Sequence, residues 1–586
     1  MNKNMKKIYT VLAVLAVVSG FASCSSQLDV KNPNNQTSED FGNSESDLEE
    51  ALIACYNNTR MEGTFARVGY TMDAVRGDEV WNASWVWYLP YDNYNAPNTD
   101  EIGNQWIWRD WYYVVNRCNF VLSHVDGAGL GSDSYNKIKG QALFLRGLAY
   151  YEIATYYQTA PLFTDYAQYA TLDSIFAESA DQDTLFDQIE ADLSEAMGIL
   201  PSREAGGEWA TGRATSGAAA GYYARALMFR HKYSEALTVL KAIMGGTYGS
   251  YRLMPDYGDN FKEGTAYENN AESLYEVQYL DYGQQGTDDE WTPVNTSSNA
   301  TQGHAVESNF APGYFGGWAD LAMSPWLYNL FISERCTDGT LDPRLYWTSS
   351  IYEAEYDTYT DGRANIVYQM PVTADNKDDI RTNTDNGGIP VAKHTYARLN
   401  TISAVVTGLH CGVNLRMMRY SDVLLRAAEC DNEINGPTAE NIGWINQVRE
   451  RAGLAGLSTS GWTKDKLFEQ IANVERPKEF GCENGRGIDL IRWGFFYSAD
   501  RRAQLKDHCA SIKRNEIITD YPLDMNDTAY DSSMNYYTPG HEYFSIAQTI
   551  LNNNPNVKGN SANNNTDNGP AWIERYGEPH PVVSLD

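Results

Sequence analysis

Six of the fourteen residues at 81–94 are Trp or Tyr: Trp81, Trp85, Trp87, Tyr88, Tyr91 and Tyr94. Asn82, Ser84, Asp92 and Asn93 stand among them. Flat apolar rings beside short hydrogen-bonding side chains suit a ligand with C–H faces and hydroxyl edges, which is the chemistry of a sugar. Each ring can contribute on the order of 0.5–1.5 kcal/mol beyond its buried area. The same rings also suit packing. Trp81, Trp85 and Tyr88 fall at i, i+4, i+7, as do Trp87, Tyr91 and Tyr94, the spacing of a helix packed on two sides. Pro90 opposes helix at Leu89 and removes a backbone donor, and Asn93, Asn95, Pro97 and Asn98 read as loop. The window alone leaves core packing and ligand binding equally open.

The start of the chain bears on the compartment. Lys3, Lys6 and Lys7 form a basic leader, and 8–18 is an apolar run broken only by Tyr9 and Thr10. That run is too short to span a bilayer as a mature helix and reads as a secretory signal. The small residues of 19–23 lead into Cys24 and resemble a bacterial lipobox, although Phe21 stands where Leu or Val is usual. Cleavage there makes 1–23 a signal peptide, Cys24 a lipidated N-terminus and 24–40 a polar tether; plain secretion is the alternative. Acyl burial contributes about 0.8 kcal/mol per CH2, so multiple chains anchor firmly.

Composition narrows the class. Lys and Arg total 45 against 77 Asp and Glu, a formal charge of −32, which argues against a nucleic-acid partner. Aromatic content is 13%, with 41 Tyr and 15 Trp. The cysteines other than Cys24 are scattered and form no C-x-x-C pair, which argues against a zinc site or dense disulfide framework, while a non-cytoplasmic compartment permits one or two disulfides. The eight His residues show no ligand spacing, and no cofactor or metal is expected. The run 375–379 could hold calcium, though a solvated loop is the plainer reading. G-x-S-x-G, H-E-x-x-H and Gly-rich phosphate loops are absent from the sequence.

Helices must position these residues. Ser46-x-x-Glu49 reads as a capping box opening a helix towards Asn57. Helical stripes cover 105–125, 135–157 and 184–200, the last stopped by Pro201. Residues 216–244 read as two helices joined at His231-Lys232-Tyr233; 421–435 and 439–452 form a pair broken at Gly436-Pro437. Ala224, Leu227, Tyr233, Ala236, Leu240 and Ile243 fall at tetratricopeptide-like offsets, small residues admitting a close neighbour and large ones filling the groove. A generic helical hairpin would look similar. Between about 245 and 410 helical periodicity is scarce, and a loop-rich stretch of that length is usually functional.

Several segments together resemble the SusD/RagB family of outer-membrane nutrient-binding lipoproteins. They are Gly140 to Ile153 with Ala160-Pro161-Leu162; Gly212-Arg213 with Lys232-Tyr233; Pro255-Asp256-Tyr257 with Glu268 to Tyr279; Arg419 to Glu429 with Asn446 to Gly453; and Glu475-Arg476-x-x-Glu479-Phe480 with Arg486-Gly487-x-Asp489-Leu490-x-Arg492-Trp493-Gly494. Ser545-Ile546-Ala547 departs from the family's closing Pro-Ile-Pro. The resemblance implies a mostly α fold: one domain over 41–586, with tetratricopeptide-like helical pairs (41–244 and 411–586) and a loop-rich region (245–410) carrying ligand. It also implies a SusC-like TonB-dependent barrel as partner, a lipid anchor in the outer membrane facing the exterior, and delivery of glycan to the barrel. Glu429, Arg449, Arg486 and Arg492 read as scaffold ion pairs.

The resemblance places the ligand site on two regions, 76–94 and about 279–326. The candidate contacts are Arg76, Trp81, Trp85, Trp87, Tyr91, Asn93, Tyr314 and Trp318. Arg76 reads either as a hydroxyl donor or as the ion-pair partner of Asp78 or Glu79, and Gly316-Gly317 favours an accessible loop at Trp318. The expected activity is binding rather than catalysis. A peptide-binding uptake lipoprotein and a glycoside hydrolase with paired carboxylates are the alternatives.

Overall fold

The computed structural model describes residues 41–82, 88–96, 102–280, 303–311, 317–318, 320–349, 366–367, 370–371, 391–395, 411–483, 485–508 and 533–585. Cys24, Trp85, Trp87, Tyr314, Cys509 and the 375–379 run lie outside them.

The fold is mostly helical. The principal helices are α1 (Glu45–Asn58), α2 (Val68–Val75), the single turn α3 (Leu89–Asp92), α4 (Ile102–His124), α5 (Ser132–Tyr157), α6 (Gln182–Ile199), α7 (Ser216–Phe229), α8 (Tyr233–Met244), α9 (Tyr420–Asn435), α10 (Ala439–Arg451), α11 (Lys464–Gln470), α12 (Arg476–Phe480), α13 (Arg486–Arg492) and α14 (Gly569–Tyr576). Four short strands matter here: β1 (Val80–Asn82), β2 (Ser273–Val277), β3 (Leu321–Met323) and β4 (Leu415–Arg419).

From α4 to α10 each helix packs on the one before it, and α1 closes the near end against α4. This is the layering of a helical-pair solenoid, in which no pair covers its own apolar face alone. The repeat-like residues Ala224, Leu227, Ala236, Leu240 and Ile243 are all buried, in one cluster with Val423, Leu424, Ile442 and Ile445. Capping sets the helix starts. Asp181 accepts from Thr184 N at 2.8 Å and Thr215 from Ala218 N at 3.2 Å, each satisfying an end N–H. At α1 the cap is Ser44, accepting from Asp47 N, two residues ahead of the Ser46 box. Both serines head a cap-like pattern, and the helix takes the earlier one.

β2 and β4 pair antiparallel and so tie the early part of the loop-rich region to the chain just after it. The C-terminal segments that carry the family resemblance meet in a buried ion-pair scaffold. Arg476 reaches Asp422 and Asp489 at 2.8 and 2.6 Å, Arg492 holds Glu429 and Asp489, and Arg449 meets Glu475 at 2.7 Å. The six described cysteines (Cys55, Cys118, Cys336, Cys411, Cys430, Cys482) are all buried. No helix among the described residues is long and apolar enough to cross a membrane.

One buried carboxyl makes stability pH-dependent. Glu152 on α5 is 2% exposed, and among the described residues nothing hydrogen-bonds its Oε2. Burial, helped by nearby Asp73, pushes its pKa from 4.5 up to about 8. The native state therefore holds a proton that the unfolded chain releases near pH 4.5, so this group's stabilisation is lost as pH rises towards 8. Glu152→Gln is expected to flatten that decline and to be more stable than wild type at pH 8, in unfolding free energies measured from pH 5 to 8.

Candidate ligand-binding site

Two segments far apart in sequence are joined by a three-residue ladder. β1 pairs antiparallel with β3, with Val80 opposite Met323, Trp81 opposite Ala322 and Asn82 opposite Leu321. Ser324 N adds a bond to Glu79 O at 2.8 Å. The pairing connects the two regions expected to carry ligand contacts. Trp81 is half-buried. Trp318 lies just before the end of β3 that pairs with Asn82 and is 36% exposed, unusual for so large a ring.

Local contacts hold Trp318 in place. Its backbone N–H donates to Ser308 O at 2.6 Å. A Cβ on Gly317 would lie 2.0 Å from Ala311 O, so the glycine is required because the chain approaches Ala311 closely. The Arg67 guanidinium carbon sits 5.1 Å from the Trp318 ring centroid, a cation–π geometry, and Arg67 is also paired with Glu62. Asn309 Nδ2 donates to Asp320 Oδ2 at 2.8 Å, linking residues on either side of Trp318 in the chain. No sequence signal marked Arg67, because its partner Trp318 is distant along the chain.

The C-terminal motif braces β1. Arg486 grips Asp78 in a two-pronged ion pair at 2.6 and 2.9 Å, and His508 Nδ1 lies 2.7 Å from the same carboxylate. Burial alone would raise the Asp78 pKa, but Arg486 and His508 hold it well below the usual carboxylate range. Burial pushes neighbouring Glu79 up to about 8. Trp326 stacks on His508 at 3.9 Å.

Two expected contacts need correction. Arg76 is 2% exposed and takes neither expected role. It lies 4.9 Å from the ring centroids of both Tyr156 and Phe544 and donates to the carbonyls of Thr155 and Glu542 at 3.2 and 3.1 Å. Asp78 is taken by Arg486 instead. Tyr91 is also 2% exposed: its ring meets Phe544 edge-on at 4.7 Å and its hydroxyl accepts from Asn104 N at 3.1 Å. Tyr88 and Tyr94 are buried beside it, Tyr88 bonding Thr71 at 2.6 Å. Pro90 does not break the local helix; it sits in the first turn of α3, where its missing N–H has no intrahelical partner to lose. Asn93 caps that turn and is half-buried. Trp85, Trp87 and Tyr314 lie outside the described residues. Among those residues no cluster of His, Cys, Asp and Glu is arranged to hold a metal.

A family model described as "SusD family" matches residues 271–564. The chain belongs to the SusD family. A second model, described as "Starch-binding associating with outer membrane", matches residues 27–228. Two SusD-like proteins of Formosa agariphila are relatives of this SusD-family chain. One is 24% identical over 525 residues, covering 83% of this chain and 90% of the relative; the other is 23% identical over 512 residues, covering 84% and 91%. Among solved structures, a SusD superfamily protein from Bacteroides vulgatus superposes with TM-score 0.68 at 23% identity, over 89% of this chain and 100% of that one. Surface glycan-binding protein A from Bacteroides thetaiotaomicron, solved with laminarihexaose, gives 0.65 at 22% identity, over 88% and 99%. At these identities the superpositions establish the shared fold.

Proposed function

We propose that this chain is a non-catalytic, lipid-anchored surface protein that binds oligo- or polysaccharide. It passes the glycan to a SusC-like TonB-dependent barrel in the outer membrane. The observation that carries the reading is the β1–β3 ladder. It brings Trp81 beside β3, which begins three residues after the exposed Trp318, giving C–H faces a ring to stack on and hydroxyl edges a polar surround. The likeness to a protein solved with laminarihexaose supports a glycan as ligand, and the second family model's description supports an outer-membrane setting. The N-terminal signal and Cys24 supply the anchor, and 41–586 is read as one domain.

Calorimetry of the purified protein against a panel of soluble glycans and peptides tests the reading. Saturable binding of a glycan without release of reducing ends supports it. Binding of peptides alone, or hydrolysis of the glycan, overturns it. Trp318→Ala is expected to weaken glycan binding about tenfold, near the upper end of what one ring contributes. The melting temperature should stay within about 2 °C of wild type, since surface changes cost little.

A further inference from the structure

A second cleft lies away from the β1–β3 ladder and shares no residue with it. Its volume is about 470 Å3, within the range of about 300–1,000 Å3 typical of small-molecule sites. One wall is the end of α5 and the start of α6, at Gln158, Thr159 and Gln182; the other is the C-terminal segment around Ser561, Asn568 and Trp572.

The chemistry of the walls is specific. Trp572 is half-buried, with Tyr497 and Tyr576 at 5.5 and 5.4 Å from its ring. A Cβ on Gly494 would lie 2.6 Å from the Trp572 ring, so backbone of the Trp493-Gly494 motif backs this indole directly. Hydroxyls and amides of Thr159, Asn564 and Thr566 surround the rings, and Asn564 and Thr566 are exposed. The charged groups of the lining are already engaged. Arg575 pairs with Asp183 at 2.7 Å, Arg492 is taken by Glu429 and Asp489, and Asp181 caps α6. The cleft therefore offers rings and neutral hydrogen-bonding groups beside charged groups already engaged by the protein, which suits a neutral polyhydroxylated ligand better than an ionic one.

The floor is held rigid. Gln158 has φ +63° and ψ −46°, a conformation that non-glycine residues rarely adopt, and Thr159 N closes a tight turn onto Tyr157 O at 2.6 Å. The Gln158 amide is clamped across the cleft, accepting from Ser561 N at 3.3 Å and donating to Asn568 Oδ1 at 3.2 Å. Strain of this kind persists where the surroundings over-determine it, and such residues gather at ligand sites.

We propose that this cleft is a second carbohydrate site, binding a short neutral oligosaccharide with its sugar face on Trp572. It stands whether or not the β1–β3 site binds glycan. The test is hydrogen–deuterium exchange on the full-length protein with millimolar maltotriose, laminaritriose or cellotriose. At least one trisaccharide is expected to slow exchange in peptides covering 559–576. Ala571→Trp, which fills the cleft from an exposed position and removes only a methyl group, is expected to weaken that protection at least tenfold in ligand concentration. It should leave unchanged any protection seen at 76–96 and 304–323. Trp572→Ala should act likewise, with its melting temperature checked. Absence of protection at 559–576 with all three sugars, or protection that persists in Ala571→Trp, overturns the proposal. Loss confined to 76–96 and 304–323 counts against the β1–β3 reading instead.

Discussion

Replacing Glu479 with Gln is expected to cost about 3–5 kcal/mol of folding stability. Glu479 is fully buried and accepts from three arginines, Arg344, Arg419 and Arg451. The cluster around it contains four cations (Arg344, Arg419, Arg451, Lys393) and four carboxylates (Asp342, Glu272, Glu479, Glu483), none with a side chain more than 5% exposed. Four against four is neutral; removing one carboxylate leaves a buried positive charge that water cannot reach. Burial would raise the Glu479 pKa, yet the three arginines hold it well below the usual carboxylate range, so the charge is present at neutral pH. The contrasting case is Glu440, paired with Lys241 at 2.9 Å with both side chains well exposed. Glu440→Gln is expected to change stability by less than about 1 kcal/mol. Denaturant unfolding of the two variants checks both values. A small loss at Glu479 would falsify the view that these motif residues are structural.

Tyr91→Ala is the second large effect, and it separates scaffold from site within one segment. Truncating a buried aromatic costs about 3–5 kcal/mol, and Tyr91 also supplies the acceptor for Asn104 N. The variant should unfold at lower denaturant while the protein that remains folded binds glycan within about twofold of wild type. Trp318→Ala should show the opposite pair of results. If Tyr91→Ala instead abolishes binding at unchanged stability, Tyr91 touches ligand and its assignment to the core is wrong.

Much of the scaffold was legible in the sequence because helical periodicity is local. The stripes at 105–125, 135–157 and 184–200 correspond to α4, α5 and α6, with starts displaced by two or three residues; at α5 and α6 the missed first-turn residues are polar and show no period. The ion-pair role expected for Glu429, Arg449, Arg486 and Arg492 is also what the structure contains. Their partners were not readable. Asp78 lies two residues from Arg76, yet it pairs with Arg486, because a charge selects its partner by distance in the fold.

The stretch 81–94 shows the same division most sharply. Its composition marked it as a place where rings and short polar groups gather, and that followed from residue types alone. Which rings face inward did not follow. All three of Tyr88, Tyr91 and Tyr94 are core: Tyr91 packs on Phe544, Tyr94 on Phe496, and Tyr88 bonds Thr71 of α2. Trp81 lies opposite Ala322, four residues past Trp318, because a three-residue strand finds its mate some 240 positions away. So short a strand carries too little pattern to announce its partner, so that choice belonged to the tertiary structure.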